Sequence, residues 1–327
     1  MRQSVKDQVI VITGGSSGYG KATARLLAAE GARVIITGRD EKALRETAAE
    51  IPGIEAYRSD ATRWDEWQEL FDVVMARHGR VDVLVNNAGG GVVITDTVDQ
   101  KVEMVDQIIA LNLNSVVYGS MIFGKQMRAQ GSGTIVNISS TCAGRRLQDA
   151  YGRTKAEAEQ ELDRTSLAVT HLRPTMIYGR GSKEFEIFLR AVTRLPRVPI
   201  PGDGTATLRP VYVDDAIAVI IRAAEVEAAA GRTYDVAGPA PVSIDELVQT
   251  VARAQGRTAV PVHVPGSLAL AGARLLGWLM AHPPINVDQV MAFLQDTVVD
   301  IEPARRELTW DPRPLEVGLA ELFGEAR

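Results

Sequence analysis

Val9-Ile10-Val11-Ile12-Thr13-Gly14-Gly15-Ser16-Ser17-Gly18-Tyr19-Gly20 joins a short apolar run to a cluster of glycines and serines. The run has the length and β-branching of a buried strand. Lys21 to Glu30 follows, rich in Ala and Leu at helical spacing, and Gly31 closes it as a helix C-terminus requires. A strand, a glycine turn and a helix in immediate succession make a phosphate-binding arrangement. Glycine lets the backbone approach a pyrophosphate, whose charge meets the N–H groups and positive dipole end of the helix. Gly14, Ser16, Ser17, Gly18, Tyr19 and Gly20 are therefore expected to line a dinucleotide.

The same alternation continues along the chain. Strand signals recur at Arg33–Thr37, Ile54–Arg58, Val81–Val85, Thr134–Ile138 and Ala168–Leu172. Helical patterns fill the intervals, including a long one from about Val98 to Gln130. Alternating strands and helices imply a Rossmann-like, doubly wound parallel α/β sheet, with a smaller C-terminal substrate lobe. After Pro174 the character changes. Prolines and glycines crowd Leu195 to Pro210, which reads as a long loop. A helix is expected over Asp214–Glu227, a strand over Thr233–Val236, and a helix capped by Ser243. The expected division is a dinucleotide-binding domain over residues 1–180 and a lobe over 181–327, with the strand near 233–237 returning to the main sheet.

Composition narrows the function. A net charge of -5 offers no basic field for nucleic acid. The lone Cys142 excludes an internal disulfide and fits a reducing compartment, the cytoplasm. His78, His171, His263 and His282 share no ligand-like spacing, so no metal site is expected. The first residues have no apolar core and do not form a secretory signal. Leu268–Ala281, the most apolar stretch, contains Arg274 and is too short to span a bilayer. It reads as a buried or interfacial helix, and no integral membrane segment is expected. The expected partner is a small-molecule substrate.

Tyr151-Gly-Arg-Thr-Lys155 places a phenol and an ammonium one turn apart on a helix face. The cation favours phenolate, so such a tyrosine can exchange a proton with an alcohol or ketone near neutral pH. Three further motifs stand in order before it: Thr13-Gly14-x-x-x-Gly18-x-Gly20, Asn86-Asn87-Ala88-Gly89 after the fourth strand, and Asn112 in Leu111-Asn112-Leu113. Together they resemble the short-chain dehydrogenase/reductase superfamily.

That resemblance implies Tyr151 as general acid/base, Lys155 lowering its pKa and holding the nicotinamide ribose, and Asn112 positioning a water in a proton relay. It implies a serine that orients the substrate oxygen. Ser139 is favoured by its separation from Asn112, with Ser140 and Thr141 as alternates. The loop from Cys142 to Ala150, with Arg145 and Arg146, is shorter than in compact members. Asn87, Ala88 and Gly89 border the cofactor, and Asp60 with Ala61 sit where the family contacts adenine. The second strand ends at Gly38-Arg39 rather than at an acid. A 2'-phosphate is then not repelled and a guanidinium can bind it, so NADP is expected. Asp40 is assigned to capping the next helix.

The chain changes idiom near its middle. Its first 140 residues resemble compact members, whereas Leu172-Arg173-Pro174-Thr175-Met176-Ile177-Tyr178-Gly179, Arg209-Pro210-Val211-Tyr212-Val213-Asp214-Asp215 and Tyr234-Asp235-Val236-Ala237-Gly238-Pro239 resemble extended and atypical branches. These include sugar-nucleotide epimerases, dehydratases and proteins akin to a respiratory complex I accessory subunit. A mosaic, natural or engineered, with a junction between residues 82 and 151 is expected. In extended members the segment after the sixth strand borders the nicotinamide, which implicates Pro174 and Thr175. Tyr178 and Arg209 are the implied substrate contacts, although Arg209 equally suits a pair with Asp203, Asp214 or Asp215. The expected activity is NADP(H)-dependent interconversion of a secondary alcohol and a ketone. A nucleotide-sugar epimerase or dehydratase, and an NADP-binding protein with little or no turnover, are the competing readings. The helix after Tyr151 is charged (Glu157, Glu159, Glu161, Asp163, Arg164), which leaves monomer and homodimer both open.

Overall fold

The computed structural model describes residues 4–90, 101–144, 150–280, 285 and 287–324. Its first half runs β1 (Val9–Thr13), α1 (Gly18–Ala29), β2 (Arg33–Gly38), α2 (Glu41–Glu50), β3 (Glu55–Arg58), α3 (Trp64–His78), β4 (Val83–Asn86), α4 (Val102–Ile109), α5 (Ser115–Gln130), β5 (Thr134–Ile138), α6 (Ala150–Asp163) and β6 (Val169–Pro174). Next come β7 (Ile177–Tyr178), α7 (Lys183–Arg194), β8 (Arg197–Pro201), β9 (Thr207–Leu208), β10 (Val211–Tyr212) and α8 (Val213–Glu225). The chain continues with β11 (Arg232–Val236), β12 (Val242–Ser243), α9 (Ile244–Ala254), β13 (Val260–Val264), α10 (Gly266–Leu279), α11 (Val287–Phe293), α12 (Glu302–Glu307) and α13 (Leu315–Gly324).

Seven strands form one parallel sheet in the order β11-β6-β5-β4-β1-β2-β3. The chain reverses its winding between β1 and β4, and that is where a crevice opens at the carboxyl ends of the strands. Alternate residues supply two cores. Ile10, Ile12, Ile36, Val85, Val136 and Ile138 face one side with Ala24 and Leu27 of α1 and Val219 and Ile220 of α8. Val9, Val11, Ile35, Leu84 and Ile135 face the other with Trp67, Leu70, Phe123, Met127 and Leu162. Apolar residues on both faces explain why these strands read as continuous runs. Each buried aliphatic side chain contributes about 1.5–3 kcal/mol.

Two features differ from the sequence expectation. The helix read as running unbroken to Gln130 contains a π-helical turn at Ala110–Asn114, between α4 and α5. The proline-rich stretch read as a loop contains β8, paired in parallel with β13. Val198 and Ile200 alternate inward, and a two-stranded ribbon tolerates Pro199 and Pro201 because its edges need few N–H donors. The segment 102–130 is 29 residues long and holds an 18-residue window with a mean hydropathy of 1.2, enough by length and composition to cross a bilayer. Here 44% of that window is buried, with Val116, Phe123 and Met127 packed into the sheet's second core. A Cβ on Gly119 would lie 2.5 Å from the Trp67 ring, and one on Gly124 would lie 2.4 Å from Leu167.

A third core, built around Tyr178, Phe185, Ile200, Leu247 and Val251, fills the C-terminal lobe. The last segment is tied back to α8. Trp310 Nε1 donates to the Asp215 carbonyl at 2.8 Å, and the Asp215 carboxylate accepts from Arg313 N (2.9 Å) and Nε (3.0 Å). The Arg313 guanidinium also lies 4.7 Å from the Tyr212 ring centre. Asp215 is buried, so Asp215→Ala should cost about 3 kcal/mol by leaving the guanidinium unpaired on its inner side. Urea unfolding measures it, and a loss under about 0.5 kcal/mol would show that the pair anchors nothing.

Candidate active site

The crevice is closed at its base by Thr13 at the end of β1 and Asn87 in the loop after β4. The Thr13 hydroxyl accepts from the N–H groups of Asn87 (3.0 Å) and Ala88 (2.9 Å). Asn87 Nδ2 donates to the carbonyls of Thr13 (2.8 Å) and Gly14 (3.4 Å). The glycine turn therefore rests on the loop after β4. Gly14 and Gly18 adopt positive φ (67° and 52°), and a Cβ on Gly20 would meet the Gly14 carbonyl at 2.4 Å. These are positions where only glycine fits. Helix α1 starts at Gly18, three residues before the apolar periodicity begins. Its N-cap, Ser17, makes no side-chain capping bond, and its first turn carries no acid. The leading N–H groups thus face a cradle that fits a pyrophosphate. Tyr19 contributes only backbone there, because its hydroxyl donates to the Ala216 carbonyl on α8.

At the end of β2, Gly38 lets Ser16 come close: a Cβ would lie 3.0 Å from Ser16 Oγ. Arg39 is exposed and forms no ion pair among the described residues. Asp40 Oδ1 accepts from Lys42 N and Ala43 N at 2.9 and 3.0 Å, capping α2. Asp60 is engaged by Thr62, whose N–H and hydroxyl donate to its Oδ1, and the Ala61 carbonyl accepts from Trp67 Nε1. Thr175 sits where β6 and β11 end together, its hydroxyl donating to the Arg209 carbonyl at 2.6 Å.

At the reacting end, Tyr151 and Lys155 share α6, with Nζ 5.9 Å from the centre of the phenol ring. Lys155 is buried and donates to the Ile138 carbonyl at 2.9 Å. Burial pushes its ammonium down to about 8, with the Glu159 carboxylate pulling upward. Near pH 7 the group is still mostly charged. Asn112, fully buried in the π turn, clasps Gly90 with both side-chain atoms: Oδ1 accepts from N (3.0 Å) and Nδ2 donates to O (2.9 Å). A Cβ on Gly89 would lie 2.9 Å from Lys155 Nζ and 3.0 Å from Asn112 Oδ1. The Asn-Asn-Ala-Gly loop, the π turn and the lysine therefore meet at one point.

Sequence reasoning missed Glu159 and Arg173. Glu159, one turn beyond Lys155, is buried and accepts from Arg173 Nε at 2.9 Å and from Nη2. The i, i+4 spacing from Lys155 was the available signal. The serine candidates separate. Ser139, favoured by spacing, is buried, and its Oγ has no partner among the described residues. Ser140 is half-buried, with Oγ accepting from Cys142 N at 3.2 Å, and Thr141 is also accessible. Arg145 and Arg146 lie outside the described residues.

Two expected substrate contacts are corrected. Tyr178 is fully enclosed between the rings of Phe185 and Tyr212, at 5.6 and 5.3 Å, with its hydroxyl aimed at the Leu315 carbonyl. It is a core residue of the lobe. The Arg209 guanidinium donates to the carbonyls of Gly238 (3.1 Å), Val299 (3.0 Å) and Pro239 (2.8 Å). Among the described residues it forms no ion pair with Asp203 or Asp215, and it pins three backbone segments together.

Residues 8–178, just over half of the chain, match the family model described as short chain dehydrogenase. The chain belongs to the short chain dehydrogenase family. A second model, the 3-beta hydroxysteroid dehydrogenase/isomerase family, matches residues 103–263. The probable oxidoreductase EphD of Mycobacterium tuberculosis is 36% identical over 185 residues, covering 52% of this chain. The match spans 31% of that relative's own length. A short chain dehydrogenase of Bacillus anthracis is similar in structure, at 27% identity and TM-score 0.59, over 72% of this chain and 96% of that one. The epimerase Mth375 of Methanothermobacter thermautotrophicus shares the fold over 98% of this chain and 93% of its own, with TM-score 0.74 and 18% identity. Membership of the short chain dehydrogenases implies a nicotinamide dinucleotide in the crevice, and the glycine cradle fits one.

The buried lysine has a thermodynamic signature. Its folded pKa, about 8, lies below the ordinary 10.5, so between those values the unfolded chain holds a proton that the folded chain releases. Stability should then rise with pH across this window, by up to about 3 kcal/mol. In urea titrations, the stability of wild type relative to Lys155→Met should increase from near pH 8 towards the alkaline side. A flat or falling difference would contradict the buried-amine assignment.

Proposed function

We propose that this chain is an NADP(H)-dependent oxidoreductase that interconverts a secondary alcohol and a ketone, with Tyr151 as general acid/base and Lys155 as its partner. The observation that carries the reading is the Lys155 amine, enclosed beside the Asn-Asn-Ala-Gly loop and 5.9 Å from the Tyr151 ring centre. An ammonium held there favours phenolate, which lets the tyrosine pass a proton to or from a substrate oxygen. Ser140, rather than Ser139, orients that oxygen, because it is half-buried where Ser139 is enclosed. Asn112 acts through its clasp on Gly90, which holds the loop against the lysine. Glu159, restrained by Arg173, keeps Lys155 cationic.

The dinucleotide would be held by backbone of Gly14, Ser16, Ser17, Gly18 and Gly20, by Asn87, Ala88 and Gly89, by Lys155 at the ribose, and by Pro174 and Thr175 near the nicotinamide, with Asp60 and Ala61 at the adenine end. Bound there, it supplies or takes up the hydride. Arg39, in no ion pair among the described residues, with Asp40 diverted into a helix cap, favours a 2'-phosphate over a bare hydroxyl.

The epimerase or dehydratase reading is kept because the 3-beta hydroxysteroid dehydrogenase/isomerase model matches 103–263 and the whole fold is similar to an epimerase. A retained cofactor with no net consumption would distinguish it. The two family matches overlap over 103–178, which suits a mosaic chain. A relative matching evenly from end to end would remove that idea.

Tyr151→Phe should lower NADPH-linked turnover of ketones by roughly 10²–10⁴ while leaving dinucleotide affinity nearly unchanged. Undiminished turnover would refute the assigned role. Arg39→Ala should raise the KM for NADP about tenfold and leave that for NAD alone. An unchanged ratio of the two constants would return the cofactor assignment to NAD.

A further inference from the structure

Helix α10 leaves four large side chains on solvent, with Leu268 63%, Leu275 56%, Trp278 81% and Leu279 62% exposed, while Leu270 and Leu276 are half-buried. Small Ala273 is its one buried position. Positions 268, 275 and 279 fall on one helical face at spacings of seven and four, with Trp278 beside them. A helix of a monomeric domain normally shows the opposite pattern, and an apolar patch of this kind marks a contact surface.

Charge says what the contact is. Between Glu246 and Asp288 the sequence contains no Asp or Glu, although the chain carries 41 of them. Arg253, Arg257 and Arg274 lie in that interval, and Arg274 is exposed on α10 itself. We propose that α10 is a bilayer-docking helix, which lays Leu268, Leu275, Trp278 and Leu279 into the acyl boundary while Arg274 meets an anionic headgroup. Tryptophan suits that boundary, having an apolar body and a polar N–H. Apolar burial and attraction to anionic lipid act together in such helices. A second copy of the chain fits the face less well. Symmetric pairing would bring the Arg274 side chain, at the flank of that face, against a partner helix that offers no carboxylate to meet it. The acidic excess behind the net charge of -5 lies wholly in the rest of the chain, and salt screening makes the local surface decide.

The test uses the whole chain and two sets of vesicles, one of equal parts phosphatidylcholine and phosphatidylglycerol and one of phosphatidylcholine alone. Co-sedimentation is expected with the mixed vesicles at low salt, and weaker with phosphatidylcholine alone or at high salt. Trp278 fluorescence, isolated as the difference from Trp278→Phe, should be quenched by brominated acyl chains. Leu275→Ser with Trp278→Ser should weaken partitioning by roughly tenfold or more, while thermal unfolding stays at the wild-type temperature. Arg274→Glu, a milder surface change, should abolish the preference for anionic vesicles. Absence of wild-type binding would overturn the proposal, as would binding indifferent to these substitutions. A concentration-dependent dimer in sedimentation velocity, dissolved by the double substitution, would assign the face to a second copy instead.

Discussion

Enclosing the Lys155 ammonium is the constraint to which the rest of the crevice answers. Removing a charge from water costs several kcal/mol unless partners replace the lost solvation. Here the Ile138 carbonyl supplies a hydrogen bond and Glu159 supplies opposite charge, itself restrained by Arg173. The amine stays mostly charged near neutrality, yet is loosened enough for its pKa to fall to about 8. Such a group is costly as structure and useful as chemistry. It draws together β5, the π turn and the loop after β4, with Arg173 of β6 acting through Glu159.

The crevice follows from topology. Sheet order reverses between β1 and β4, so the loops leaving those strands part and leave room at their carboxyl ends. The Thr13 hydroxyl and Asn87 amide keep that parting narrow. Glycines 14, 18, 20 and 89 then remove the Cβ atoms that would fill it. The π turn at Ala110–Asn114 belongs to the same design. An inserted residue shifts the helix so that Asn112 meets Gly90 with both side-chain atoms, and π turns are commonly found at such functional positions.

The C-terminal lobe is fastened by buried polar ties as well as by apolar packing. Arg209 collects three carbonyls, Trp310 and Arg313 both reach Asp215, and Tyr19 crosses from the glycine turn to α8. An arginine and a tyrosine near a pocket look like ligand contacts in a sequence. In the fold they satisfy backbone groups that would otherwise be buried without partners. Most of this network joins residues far apart in the chain, which is why Arg209 and Tyr178 were misplaced by reading motifs alone.

The sequence by itself determined the doubly wound sheet, because apolar periodicity and the Val9–Gly20 turn are local properties. It also determined the Tyr151–Lys155 pair, since four residues on a helix fix one face. Boundaries moved by a few residues, as at α1, where Ser17 begins the helix without a side-chain signal. Only the tertiary structure decided what the pair is worth, because burial of Lys155 and the reach of Arg173 to Glu159 depend on β5 and β6 packing against α6. It likewise sent Ser139 inward, left Ser140 half-buried, and turned three leucines of α10 outward. Spacing along a chain says which residues can share a face, and packing alone says what that face meets.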